Sequence, residues 1–259
     1  MSAVGETPRG GGRGGRAGGV LLAGLLSVAG IAVLIALGVW QLERKSWKEG
    51  LIATLTERTA AAPRPIPPRE SWERLQPADL EFRRVAFPAE FLHEHEALVH
   101  SSGSAFRPDV SGPGYWVFTP ARLAGGSLVI VNRGFVPEGR QDATTRAQGQ
   151  VKGSVEIVGA MRWPEPRGQF VPADNPGGNI WYVRDHAAIA GAKALGTVAP
   201  FYVELEAPPA PGGFPRAGKL AVSLANNHFQ YALTWFGLAA GLFAVFAIWA
   251  VGRLRSGRA

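Results

Sequence analysis

Two transmembrane α-helices flanking a mainly antiparallel β (α+β) extracytoplasmic domain are predicted for this chain. Two uncharged apolar runs, Val20 to Trp40 and Tyr231 to Val251, are each 21 residues long. As helices they would extend about 31 Å at ~1.5 Å per residue, matching a hydrocarbon core of ~30 Å. Between them, short stretches rich in Val, Ile, Phe, Tyr and Trp alternate with Gly, Pro, Asn and Asp, the pattern of strands and turns. The mean hydropathy near zero averages two greasy ends with a polar middle.

Residues 1–19 are Gly- and Arg-rich and read as a disordered basic cytoplasmic tail. The Gly-Arg pattern is assigned to solvated charge, so no nucleic acid is expected as a partner. Residues 20–40 form the first transmembrane helix. The run exceeds the ~7–15 apolar residues of a signal peptide and continues into Gln41-Leu-Glu-Arg-Lys, so it reads as an uncleaved anchor. Residues 41–225 form a periplasmic β-rich domain with a helical and Pro-rich entry. Trp47 to Arg58 extends the helix, and Pro63, Pro65, Pro67 and Pro68 end it.

Strands are predicted at Phe82–Phe87, Ala97–Ser101, Tyr115–Thr119, Ser127–Asn132, Ser154–Met161, Ile180–Arg184, Phe201–Leu205 and Lys219–Leu224, and a short helix at Ala187–Leu195. Gly125-Gly126 reads as a hairpin turn. Ser127–Asn132 is almost continuously apolar, hence a central strand buried on both faces. Residues 226–251 form the second transmembrane helix and 252–259 a second basic cytoplasmic tail.

Charge sets the orientation. The two tails hold six arginines against Glu6 and so carry five of the total net charge of +7. By the positive-inside rule both termini are cytoplasmic and the middle lies across the lipid bilayer. The expected location is the bacterial cytoplasmic (inner) membrane. With no cysteine, disulfides and thiolate metal sites are excluded.

His228 is the leading chemical candidate, an imidazole at the mouth of the second span, where an ionisable group needs a role or a partner. On a helix it shares a face with Tyr231, Ala232 and Trp235. A flat cofactor coordinated by His228 would lie along Ala232 and Trp235; the alternative is an interfacial His in an aromatic belt. The two spans run in opposite directions, which puts Trp40-Gln41 at the depth of His228. Gly237-x-x-x-Gly241 and Ala32-x-x-x-Ala36 offer small faces for close helix approach. His93, His95 and His100 do not share a face on one strand, so they read as polar surface rather than a metal site. Asp185 before His186 reads as a helix cap. Neither a Gly-x-Ser-x-Gly elbow nor a His-Glu-x-x-His helix occurs, so no catalytic residue is assigned and the chain is not read as an enzyme.

Several motifs occur in order along residues 25–250: Gly38-Val-Trp-Gln-Leu-Glu-Arg-Lys-Ser-Trp-Lys48, Arg107-Pro, Gly114-Tyr-Trp-Val-Phe-Thr-Pro120, Val129-Ile-Val-Asn-Arg-Gly-Phe-Val-Pro137, Gly213-Phe-Pro-Arg216 and Asn226-Asn-His-Phe-Gln-Tyr-Ala-Leu-Thr-Trp-Phe236. Together they resemble the surfeit locus protein 1 family of cytochrome c oxidase assembly factors. Phe135 stands where that family often has Trp, and Asp174-Asn-Pro176 is permuted from its usual order. The resemblance implies aid in maturing subunit I of a haem-copper oxidase, with subunit I and haem a synthase as partners. It also implies transient binding of haem a with His228 as axial iron ligand, Tyr231, Trp235, Trp40 and Gln41 bordering the ring. The alternative is a haem-free chaperone or scaffold that stabilises subunit I or haem a synthase.

Overall fold

Alternation along Arg84–Phe91 turns Val85, Phe87, Ala89 and Phe91 to one side, where all four are buried. That side is the interior of a β-barrel. The computed structural model describes residues 14–104, 107–221 and 226–256. Eight strands form one sheet: β1 (Arg64–Pro65), β2 (Arg84–Phe91), β3 (Ala97–Gly103), β4 (Ser111–Leu123), β5 (Leu128–Pro137), β6 (Ser154–Arg162), β7 (Ile180–Trp181) and β8 (Val198–Ala207). Their order is β1-β2-β6-β8-β5-β4-β3-β7, and a further β2–β4 pairing closes β2, β6, β8, β5 and β4 into a ring. Pro88, which has no N–H to donate, falls between the stretch of β2 paired with β1 and the stretch paired with β4.

Apolar side chains from all five ring strands, among them Val85, Ile157, Val203, Val131 and Ala121, make one cluster that fills the barrel, with Trp72 and Leu80 packed into it. A second cluster lies on the opposite face of β4, β5 and β8, where Trp116, Phe118, Ile130 and Tyr202 pack with Ile189 and Ala190. The last two belong to the short helix α3 (His186–Ala192), following α1 (Gly14–Ala60) and α2 (Pro77–Leu80); α4 (His228–Ser256) is last.

The sheet is mixed. The β1–β2, β3–β7 and β5–β8 pairs are parallel, and the other five pairings are antiparallel. The parallel β5–β8 pair arises because a long connection carrying β6, β7 and α3 separates the two strands in sequence, which a tight hairpin cannot do. Strand β5 lies between β4 and β8 and is buried along nearly its whole length. The Gly125-Gly126 turn joins β4 to β5, with Gly126 at φ +79° donating to Leu123 O.

Two sequence expectations change. The strand expected at Ile180–Arg184 stops at Trp181, and Asp185 instead caps α3 by accepting from the amides of Ala187 and Ala188. Lys219–Ala221 is not a strand, and Val222–Leu224 lies outside the described residues. The first helix is longer than its apolar run. It is helical from Gly14 to Ala60, since nothing in Gln41–Arg58 interrupts the ladder before Pro63.

The chain divides into two compact units, one formed by the terminal segments up to Leu51 and from Ala225, the other by Ile52–Leu224. Two of its helices are long and apolar enough to cross a membrane, at Leu21–Ala60 and His228–Arg253, with peak mean hydropathies of 2.5 and 1.9.

Candidate functional site: a histidine–glutamine pair on two helices

The less exposed positions of α4 include His228, Ala232, Trp235, Ala239, Leu242 and Phe246, spaced four and three apart. Those of α1 include Gly24, Ser27, Ile31, Leu34, Gly38 and Gln41, with the same spacing. Such stripes are the seam of two helices packed side by side. A Cβ added at Gly24, Gly30 or Gly38 would meet Phe246, Leu242 or Phe236 respectively. Numbers rise on one helix as they fall on the other, so the pair is antiparallel. The closest approach is at Gly38, where an added Cβ would stand 2.4 Å from the Phe236 ring. At Gly237 and Gly241 an added Cβ meets nothing within 4 Å. The glycines at the close approach are therefore on α1, Ala232 and Ala239 are the small residues buried on α4, and neither the expected Gly237-x-x-x-Gly241 face nor the exposed Ala32-x-x-x-Ala36 face is the contact.

One turn beyond Gly38, the seam ends in a polar pair. His228 Nδ1 lies 2.7 Å from Gln41 Oε1. Gln41 is buried and His228 half-buried. Two turns along α4, Trp235 lies on the same stripe, and its indole Nε1 is buried without a hydrogen-bond partner. Trp40 and Tyr231 stand off the stripe and are exposed, at 53% and 56%. Ala232 is covered by the seam, so the expectation that a flat ring lies along Ala232 is corrected: seam packing removes that surface.

Among the described residues no group of three or more His, Cys, Asp or Glu suited to a metal ion occurs. His93 and His95 form a single 3-10 turn and His100 lies on β3. His93 is nevertheless not free surface. Its Nε2 is 2.8 Å from Val151 O and its Nδ1 3.2 Å from Arg133 Nη1. Burial holds its pKa below the usual histidine value, helped by the positive charge of Arg133.

The other family-like motifs are structural clamps. Arg107, almost fully buried, grips Asp109 and the carbonyl of Arg216. Asn132 donates to Glu204 and accepts from the Gly134 amide. Gly134 (φ +121°) lets the Arg216 backbone pass where a Cβ would be 2.2 Å from its oxygen. Arg133 and Arg146 both converge on Glu96, and Arg133 also donates to Gly149 O. Burial pulls Arg133 down to about 10, against the attraction of Glu96.

A polar recess of about 320 Å³ opens in the same domain, lined in part by His100, Tyr182, Arg184, Glu165 and Trp116. Sequence reasoning missed it because its walls come from β3, β4 and two separate loops, with no contiguous motif. Arg184 is held there by Glu204 at 3.1 Å and stacks 4.8 Å over Trp116.

Fold and site define a class: a β-barrel domain carried between two long apolar helices that share an imidazole–amide pair. The family model described as the SURF1 family matches residues 28–240. The chain is 37% identical to the SURF1-like protein of Monosiga brevicollis over 253 residues, covering 93% of this chain and 90% of that one. It is 37% identical to Surfeit locus protein 1 of Rattus norvegicus over 81% of this chain and 69% of that one, and 35% identical to that of Homo sapiens over 79% and 69%. The chain belongs to the SURF1 family.

Proposed function

We propose that this protein is a membrane-anchored assembly factor for haem-copper cytochrome c oxidase that binds haem a and aids its insertion into subunit I, without catalysis of its own. Family membership supports the oxidase role. The His228–Gln41 pair carries the cofactor reading. The residues present fit such a group in three respects. His228 uses one ring nitrogen within the protein, which leaves the other for iron, and imidazole is a common axial ligand of haem. Trp235 offers a buried N–H with no acceptor. Trp40, next to Gln41 in sequence, and Tyr231, one turn from His228, present exposed rings. Haem a itself supplies the redox centre of the oxidase; here the chain only holds and releases it. A single ligand at the end of a two-helix seam favours release, since one axial bond is all that must be broken.

In this reading α1 and α4 cross the bacterial cytoplasmic membrane with both arginine-rich ends inside. The β domain faces the periplasm and meets subunit I or haem a synthase there. Reporter fusions at Gly125 and Ala259 should report opposite sides of the membrane, and agreement between them would refute the topology. Purified full-length protein, co-expressed with the enzymes of haem a synthesis, should carry a haem spectrum that His228→Ala abolishes at unchanged protein level. Retention of haem by that variant would remove the ligand assignment and leave the haem-free chaperone of subunit I or haem a synthase.

A further inference from the structure

We propose that Gln41 is a positioning residue that fixes the tautomer of His228 and thereby presents Nε2 as its electron-pair donor. The inference rests on the reading of His228 as a metal ligand but adds what decides which nitrogen binds. A neutral imidazole carries one proton, on either Nδ1 or Nε2, and only the other nitrogen can donate to a metal. The Gln41 side-chain oxygen is 2.7 Å from His228 Nδ1. An amide oxygen only accepts, so Nδ1 must hold the proton and donate. Nε2 is then unprotonated. Among the described residues no hydrogen bond engages it, so nothing has to be broken before it binds.

The placement of Gln41 supports the same role. It is buried on the α1 seam, one turn from the tight Gly38–Phe236 contact. A buried amide makes a directional bond that water does not replace, and partners of this kind commonly orient metal-ligating histidines. Helix packing therefore sets the height of Gln41, and Gln41 sets the ring. The reverse arrangement, with the Gln41 amide nitrogen donating into Nδ1, would put the proton on Nε2 and block ligation. The two arrangements predict opposite protonation of the same ring.

The test begins with the metal-free full-length protein in lipid nanodiscs, with 15N-labelled histidine, at a pH where the imidazole is neutral. The His228 signal is assigned by its loss in His228→Ala, and ring correlations report which nitrogen carries the proton. The proposal expects Nδ1–H in the wild-type protein and in Gln41→Glu, and a loss of that preference in Gln41→Leu. Haem titration follows. Gln41→Leu should weaken binding roughly 10–100-fold, the usual cost of losing such a partner. Gln41→Glu should retain affinity and lower the reduction potential of the bound iron, because a carboxylate makes the ring a stronger donor. Nε2–H in the wild-type protein, or an unchanged tautomer in Gln41→Leu, overturns the proposal. If no protein binds haem but Nδ1–H is found and depends on Gln41, the function proposed above fails while the tautomer assignment stands. The wild-type measurement needs no variant, so a misfolded Gln41→Leu does not shield the proposal.

Discussion

The buried ionic clusters of the β domain and the imidazole of the helix pair are partnered to different degrees. In the β domain Glu96, Glu204 and Arg107 are saturated. Glu96 is shared by Arg133 and Arg146; Glu204 takes Asn132 on one oxygen and Arg184 on the other; Arg107 is ringed by Asp109 and backbone carbonyls. On the helices His228 makes one hydrogen bond and keeps one nitrogen in reserve. A saturated group is held for architecture, because losing any partner leaves a buried charge uncompensated. A half-used group has valence left for something outside the chain. His186 in the β domain also has a ring nitrogen without a partner, but it is almost fully buried, whereas His228 is half-buried; that difference favours the helix pair as the candidate site.

The largest effect should come from the saturated side. Glu96→Gln removes the carboxylate between two buried guanidinium groups and should cost about 3–5 kcal/mol, read as a lower denaturation midpoint of the full-length protein. His93→Ala should also destabilise, more mildly, because it frees Arg133 Nη1 and Val151 O. A silent His93→Ala would return that residue to the surface role its sequence context suggested.

Gly38→Leu tests the seam. The new side chain would occupy the Phe236 ring position, and overpacking of this kind costs about 1–3 kcal/mol. Thermal unfolding of the intact protein should shift down, and haem binding should fall with it because Gln41 and His228 are moved apart. Normal haem binding in a destabilised variant would separate the pair from the packing below it.

A smaller effect is expected from pH. His186 is buried, and desolvation holds its pKa below the ordinary value of 6.5; His93 is lowered for the same main reason. The unfolded chain therefore binds more protons than the folded one as pH falls through 6.5, so stability is complete above that value and is lost below it. Unfolding midpoints measured between pH 7.5 and 5 should decline, and His186→Gln should flatten the slope. A flat wild-type profile would show that neither ring is kept neutral by burial.

His228→Ala should have the least effect on stability, about 1 kcal/mol from the buried Gln41 oxygen that loses its partner, while bound haem is lost. A stability loss as large as that of Glu96→Gln would place His228 among the architectural groups.

Much of the fold is legible in residue patterns because the patterns are local. Two runs of 21 apolar residues announce the long helices, alternation in Arg84–Phe91 announces a half-buried strand, and Gly125-Gly126 announces a turn. The heptad seam is also present in the sequence but hidden, because residues around it are apolar too and only Gly24, Ser27, Gly38 and Gln41 mark the stripe. His228 was visible as a site candidate because a polar ring in an apolar helix violates a local rule. Tyr231 follows His228 by helical spacing, which fixes angle about one axis and says nothing of the neighbouring helix, while Trp40 is tied to it only by depth and by the family resemblance.

By itself, then, the sequence determined element types, the two apolar helices, the turn chemistry and the identity of the unusual imidazole, all set by neighbours within a few residues. Only the tertiary structure decided that β5 and β8 run parallel, that β2 closes on β4, that Glu96 and Glu204 gather their cations, and that Gln41 meets His228 across 187 positions of chain. Those contacts depend on which surfaces bury together over long sequence separations, and no local propensity encodes the partner.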